Sequence, residues 1–210
     1  MKRAEKLLSN LNKAQIEAVT YEGGPLLILA GAGSGKTRVL THRVAYFISK
    51  AKIKPQQALL LTFTNKAAGE MKERIGSITD GDVPYAGTFH SFSAKLLRID
   101  GKYIGIPPNF IIFDETDQKD AVKQILQELN LPLESYNPSS VLNDISEAKN
   151  QMLTPIQYAE ISSGKWGESI FKIYVGYEKL LRESGALDFD DLLLFGVKLF
   201  KENPNILAKW

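Results

Sequence analysis

The segment Ala30-Gly31-Ala32-Gly33-Ser34-Gly35-Lys36-Thr37 constrains this chain more than any other. It lies between a short apolar run, Leu26-Leu27-Ile28-Leu29, and a helical pattern that extends from about Lys36 to Ser49. Glycines so spaced let successive backbone N–H groups turn inward around phosphate oxygens, and a helix beginning at that point adds its partial positive charge. In such a loop the lysine reaches the β- and γ-phosphates, and the following hydroxyl ligates Mg²⁺. The segment therefore reads as a P-loop for a nucleoside triphosphate, with Ala30 where the strict pattern has glycine. The bland alternative is a glycine-rich surface turn, and the strand-like run before it and the helix after it argue against that. Gly164-Lys165 resembles a fragment of the same motif, but Trp166 follows where a hydroxyl is needed and no strand precedes it.

A P-loop demands a strand–loop–helix setting, and the first half of the chain supplies alternation of that kind. Ala58-Leu59-Leu60-Leu61-Thr62-Phe63 is a second apolar run, Asn65 to Ile75 a helix, Tyr85 to Phe89 a third strand and Phe110-Ile111-Ile112-Phe113 a fourth. This order predicts an α/β domain with a parallel sheet. The second half changes period. Val122, Ile125, Leu126 and Leu129 recur at helical spacing, as do Ile170, Ile173, Tyr174, Tyr177 and Leu181. Asn137-Pro138 and the capping-box pattern Thr154-Pro155-Ile156-Gln157 are helix starts, and Gly185 is a stop. The expected division is an α/β part over residues 1–113, an all-helical unit over 114–185 and a return segment over 186–210.

Composition adds two limits. Residues 1–110 carry 16 Lys and Arg against 8 Asp and Glu, whereas residues 111–210 carry 10 against 16. A basic half suits a polyanion, although compositional drift accounts for it equally well. The sequence has no cysteine, which excludes disulfides and thiolate metal sites and fits a reducing cytosol. No run of 18 apolar residues is present, so no membrane span is expected.

Four further stretches resemble, in order, the N-terminal part of superfamily 1 DNA helicases of the UvrD/Rep/PcrA type. Leu11-Asn12-Lys13-Ala14-Gln15 is similar to the family's adenine-sensing segment, which implies that Gln15 hydrogen-bonds the adenine edge; Asn12 and Gln15 also have the spacing of a capping box, and both roles can hold at once. Leu61-Thr62-Phe63-Thr64-Asn65-Lys66-Ala67-Ala68 resembles a motif on the single-stranded DNA path. There Phe63 offers a stacking face, and Thr64 and Asn65 offer hydrogen bonds to the backbone. The alternative is a buried Phe and a helix cap. Gly87-Thr88-Phe89-His90-Ser91-Phe92 resembles the next motif and places His90 against a phosphate; as a lone histidine it is otherwise a cap or a packing residue. His42, inside the helix after the P-loop, reads as structural. Leu187-Asp188-Phe189-Asp190-Asp191-Leu192-Leu193 resembles the return from a helical insertion, its acids serving as helix caps rather than chemistry.

The resemblance implies a RecA-like P-loop NTPase fold, incomplete in this chain, with an all-helical inserted subdomain. It implies ATP and Mg²⁺ as cofactors, single-stranded DNA as partner, 3′ to 5′ movement of the parent enzyme and a cytoplasmic setting. The implied nucleotide contacts are Gln15, Ala30, Gly31, Ala32, Gly33, Ser34, Gly35, Lys36, Thr37 and Arg38, with Thr37 on the metal; the implied DNA contacts are Phe63, Thr64, Asn65 and His90. Such an ATPase also needs a carboxylate pair at a strand end. Phe110-Ile111-Ile112-Phe113-Asp114-Glu115 has that outline, but Thr116-Asp117-Gln118 follows, which resembles the family's entry into the helical insertion and makes Asp114 a cap. On that reading the family's carboxylate motif lies past Trp210, and no catalytic residue is expected here. Two alternatives stand beside it: a small P-loop kinase using Asp114 and Glu115, and a non-catalytic nucleotide-binding module.

Overall fold

The computed structural model describes residues 2–79 and 83–210, the side chains of residues 2 and 3 excepted. The chain separates into two compact units, residues 1–92 and 93–210. The sequence pattern divides the chain after residue 113, where the period changes.

In the first unit, α1 (Lys2–Leu8) and α2 (Lys13–Thr20) precede the glycine-rich loop, and α3 (Lys36–Ser49) begins at its end. Asn12 and Gln15 close α2 with a reciprocal capping box. Leu11, Val19 and Val39 bury together and join α2 to α3. Strand β1 (Leu59–Thr62), helix α4 (Asn65–Ile78) and strand β2 (Tyr85–Thr88) form a parallel strand–helix–strand unit. The register runs from Leu59 opposite Tyr85 to Thr62 opposite Thr88. Leu60, Met71, Ile75 and Ala86 bury between sheet and helix, because the period-2 face of β1 meets the apolar stripe of α4. Helix α5 (Phe89–Asp100) begins directly after β2.

Leu26–Leu29, expected as a strand, pairs with no strand among the described residues. Exposure alternates along it in the manner of an extended segment, with Leu27 and Leu29 at 82% and 86%. A strand is defined by its ladder, so four apolar residues without a neighbouring backbone remain irregular however strong their propensity.

In the second unit a short parallel pair, β3 (Ile111–Ile112) with β4 (Ala186–Leu187), flanks a helical core. Its helices are α6 (Glu115–Glu128), α7 (Pro138–Asn150), α8 (Pro155–Ile161), α9 (Gly164–Glu183), α10 (Phe189–Glu202) and α11 (Pro204–Lys209). The core joins Val122, Ile125 and Leu126 of α6 and Ile170, Ile173, Tyr174, Tyr177 and Leu181 of α9, helical stripes read from sequence, to Val141 and Ile145 of α7; Leu129, at the end of the first stripe, is exposed instead. No described helix is long and apolar enough to cross a membrane.

Candidate nucleotide and nucleic-acid sites

Gly35 is the N-cap of α3 at φ +90°, ψ 25°, and Gly33 sits at φ +75°. An L side chain is strained at both, so glycine is what allows the chain to fold back before entering the helix. Gly35 brings no side chain to the helix start, and the N-terminus of α3 is left without a side-chain cap. The N–H groups of that first turn are the donors a helix offers to an anion.

The loop closes on itself through its own carbonyls. Lys36 Nζ donates to Ala30 O at 2.9 Å and Gly31 O at 2.8 Å, and Ser34 Oγ donates to Gly31 O at 2.7 Å. These contacts bring the ammonium back over the loop, where a phosphate would meet it. Ala30 through Ser34, Lys36 and Thr37 are exposed, so the loop surface is open to a ligand. Ala32 and Ala30 place no polar group there, and Thr37 contributes the hydroxyl. Gln15 reaches the loop from α2, its Nε2 donating to Ser34 O at 3.1 Å. Arg38 turns elsewhere: its guanidinium donates to Asn10 O at 2.8 Å and ties α3 to the start of α2. His42, one turn further on, accepts its place in the helix through a ring nitrogen 2.9 Å from Arg38 O, and burial holds its imidazole below the ordinary value against the opposing pull of that hydrogen bond.

A triphosphate fits this loop by the chemistry of its donors: an uncapped helix start, two glycines at positive φ and a lysine within reach. For Mg²⁺ the loop offers the Thr37 hydroxyl. Among the described residues no three His, Asp or Glu side chains gather into a metal site. That is compatible with an ion held largely by phosphate oxygens and water.

The second group of residues stands at the carboxyl ends of β1 and β2. Because Thr62 lies opposite Thr88, the next residues of the two strands, Phe63 and Phe89, emerge side by side. Their rings lie 5.5 Å apart at 34°. Phe63 is 87% exposed, unusual for a large apolar ring. Thr64 caps α4, its hydroxyl accepting from Ala67 N at 3.2 Å, and Asn65 is exposed at the first helical position. His90 is half-buried in the first turn of α5.

Two residues here escaped the sequence reading. Phe89 completes the aromatic pair; the signal was the Thr-Phe dipeptide ending both strands. Ser91 locks the start of α5 with Thr88: Thr88 N donates to Ser91 Oγ at 2.9 Å and Ser91 N to Thr88 Oγ1 at 3.2 Å. Gly87 is required beside it, since a Cβ there would stand 2.5 Å from Ser91 Oγ.

In the second unit, Asp114 caps α6. Its Oδ1 accepts from Thr116 N at 2.8 Å and Asp117 N at 3.0 Å, and Asp117 Oδ2 accepts from Asp114 N at 3.0 Å. Glu115 pairs with Lys119 at 2.6 Å on the surface. Asp188 and Asp191 likewise form the capping box of α10, but they do more than cap. Lys149 Nζ, on a side chain 1% exposed, lies 2.8 Å from each of Asp188 Oδ2 and Asp191 Oδ1 and donates to both. Glu178 Oε1 is also 2.8 Å away, but is not aligned to accept a hydrogen bond, so that contact is one of charge alone. Tyr177 donates its hydroxyl to Asp188 Oδ2 at 3.1 Å. Three carboxylates thus face one ammonium. Burial lowers the tendency of Lys149 to stay charged, yet the charges of Asp191, Asp188 and Glu178 outweigh it and hold the lysine well above its ordinary value. For Asp191, burial and then the neighbouring carboxylates Asp188 and Glu178 prevail over Lys149, and the carboxyl is pushed up to about 7.

The strand–helix–strand unit, the glycine-rich loop and the helical unit define a protein of mixed helix and strand. The chain belongs to the UvrD/REP helicase N-terminal domain family, whose model matches residues 11–210. Among its relatives is an ATP-dependent DNA helicase PcrA of Bacillus subtilis, 45% identical over 206 residues, 97% of this chain and 28% of the relative. Proteins of the same name from Leuconostoc citreum and Staphylococcus aureus are 43% identical over 209 residues and 42% over 203, covering 98% and 96% of this chain. The chain thus spans 28% of the length of the curated relatives it matches.

Proposed function

We propose that this chain is the nucleotide-binding and part of the DNA-binding portion of an ATP-dependent DNA helicase. The observation that carries this reading is the uncapped N-terminus of α3, with Lys36 folded over the loop that leads into it. The cofactors are ATP and Mg²⁺: Gly31 to Lys36 cradle the phosphates, and Thr37 ligates the ion, whose charge offsets that of the β- and γ-phosphates. Gln15 reads the adenine edge. Arg38, bonded to Asn10, supports the start of α3 rather than the ligand directly. Single-stranded DNA runs over the carboxyl edge of β1 and β2, where Phe63 and Phe89 stack on bases and Thr64, Asn65 and His90 meet the backbone. Parallel sheets place ligands at that edge because the loops and helix starts there are free to diverge.

The fold is that of a RecA-like P-loop NTPase, residues 1–113 and 186–210 belonging to the ATP-binding domain and 114–185 to a helical insertion. The whole enzyme, in the cytoplasm, couples ATP hydrolysis to 3′ to 5′ movement on single-stranded DNA. Asp114 is committed to capping α6, which disfavours the kinase reading with Asp114 and Glu115 as its carboxylates.

The test is equilibrium binding and turnover of Mg·ATP by the parent chain and Lys36→Ala, with and without single-stranded DNA. The expected result is ATP binding that Lys36→Ala abolishes, with no turnover in either. Equal ATP affinity in the two proteins excludes the P-loop assignment. DNA-stimulated turnover lost in Lys36→Ala means that a carboxylate within these residues completes the site, and returns Asp114 and Glu115 to consideration.

A further inference from the structure

Gln15 holds two partners at once. Its Oε1 accepts from Asn12 N at 3.1 Å, and its Nε2 donates to Ser34 O at 3.1 Å. The second contact crosses from α2 to the middle of the P-loop. Ser34 O belongs to the Ser34–Gly35 peptide, which is trans like every described peptide bond. The C=O and N–H of a planar trans peptide point in opposite directions. With the carbonyl held toward α2, the Gly35 N–H is directed away from it. Turning that peptide over needs rotation about ψ of Ser34 and φ of Gly35, and glycine at the second position lowers the steric resistance to it. Gln15 also lies close to Gly35: a Cβ there would stand 3.0 Å from Gln15 Nε2.

We propose that Gln15 is a positioning residue for the phosphate loop, fixing the direction of the Ser34–Gly35 peptide, so that affinity for the triphosphate itself depends on it. The proposal rests on the P-loop reading of Ala30–Thr37. It goes beyond recognition of the base and is compatible with it. A primary amide has two N–H groups and two lone pairs, so one N–H holds Ser34 while the other meets a base, and one lone pair caps α2 while the other accepts from the base. One side chain then links the base edge to the orientation of a phosphate-facing donor.

Inorganic tripolyphosphate separates the two roles, because it has no base. The experiment is calorimetric titration of Mg·ATP and of tripolyphosphate with Mg²⁺ into the parent chain, Gln15→Ala and Asn12→Ala. Asn12→Ala removes the other half of the capping box, in which Gln15 N donates to Asn12 Oδ1 at 2.9 Å, and leaves the bond to Ser34 in place. The expected result is a loss of tripolyphosphate affinity of about two- to tenfold in Gln15→Ala, the range of one hydrogen bond, and none in Asn12→Ala. Unchanged tripolyphosphate affinity in Gln15→Ala with weakened ATP confines Gln15 to the base and overturns the proposal, leaving the P-loop reading intact. Equal losses in both variants assign the effect to the cap of α2 and overturn it as well. A parent chain that binds neither ligand overturns the P-loop reading and this proposal together.

Discussion

Phe63 and Phe89 place two apolar rings where a folded chain normally places none. An exposed phenylalanine gains nothing from burial in its own protein, and Phe63 keeps most of its ring in water. The ring face is a sequence-tolerant platform for a nucleobase, and two rings 5.5 Å apart make a longer one. Phe63→Ala is expected to weaken single-strand binding by roughly 1–3 kcal/mol in a titration at fixed salt. Phe89→Ala is expected to follow it with a smaller loss, and the double variant to lose less than the sum, since the rings support each other. Unchanged affinity in all three variants removes the aromatic pair from the DNA path. Phe63 was legible from its motif. Phe89 was not, because only the parallel register of β1 and β2 brings the ends of two separate strands together.

At the level of elements, helix starts carry most of the local determinism in this chain. Asn12, Thr64, Asp114, Asn137, Thr154 and Asp188 all accept from the backbone of the turn that follows. Each satisfies donors that a helix otherwise leaves without partners. Helix α3 differs, as its cap is a glycine with no side chain to accept from the first turn; α9 and α11 also start without a side-chain cap bond, although a polar residue, Ser163 or Asn203, stands at the cap. That contrast separates Asp114 from a metal-binding carboxylate. Asp114→Ala is expected to lower the unfolding free energy by about 1 kcal/mol in urea, with ATP affinity unchanged. A large loss of ATP affinity at unchanged stability contradicts the capping role. Capping was readable in advance because its partners lie two or three residues apart. Leu26–Leu29 shows the reverse case: its apolar composition predicts a strand, but a ladder requires a second backbone.

Across the molecule, the buried Lys149 cluster joins the end of α7, the middle of α9 and the start of α10, residues far apart along the chain. Lys149→Met leaves three carboxylates without their cation and is expected to destabilise the unit over 93–210 by roughly 3–5 kcal/mol. The pH dependence has a definite sign. The folded value of Asp191, about 7, lies above its ordinary 3.8, so the folded state holds a proton that the unfolded chain releases. This contribution to stability is full below pH 3.8 and is lost as pH rises through about 7. Both tryptophans, Trp166 and Trp210, lie in this unit, so their fluorescence follows its unfolding. The parent is expected to lose stability between pH 4 and 7 relative to Asp191→Asn; parallel curves for the two contradict the raised value of the Asp191 carboxyl.

By itself the sequence determined what depends on neighbours within about four residues: the glycine turns that lead into α3, the helix caps and the apolar stripes of α6 and α9. These are contiguous because helices and phosphate loops close their hydrogen bonds locally. Only the tertiary structure decided what depends on the meeting of distant segments. The acids Asp188 and Asp191 read as caps and are caps, yet the ammonium that faces them comes from Lys149 and their third carboxylate from Glu178. Gln15 read as a cap and a base contact, yet its hold on Ser34 exists because Leu11, Val19 and Val39 bury together and bring α2 against the loop. A side chain announces its chemistry by its type, but its partner is chosen by whichever backbone the core packing places within hydrogen-bond reach.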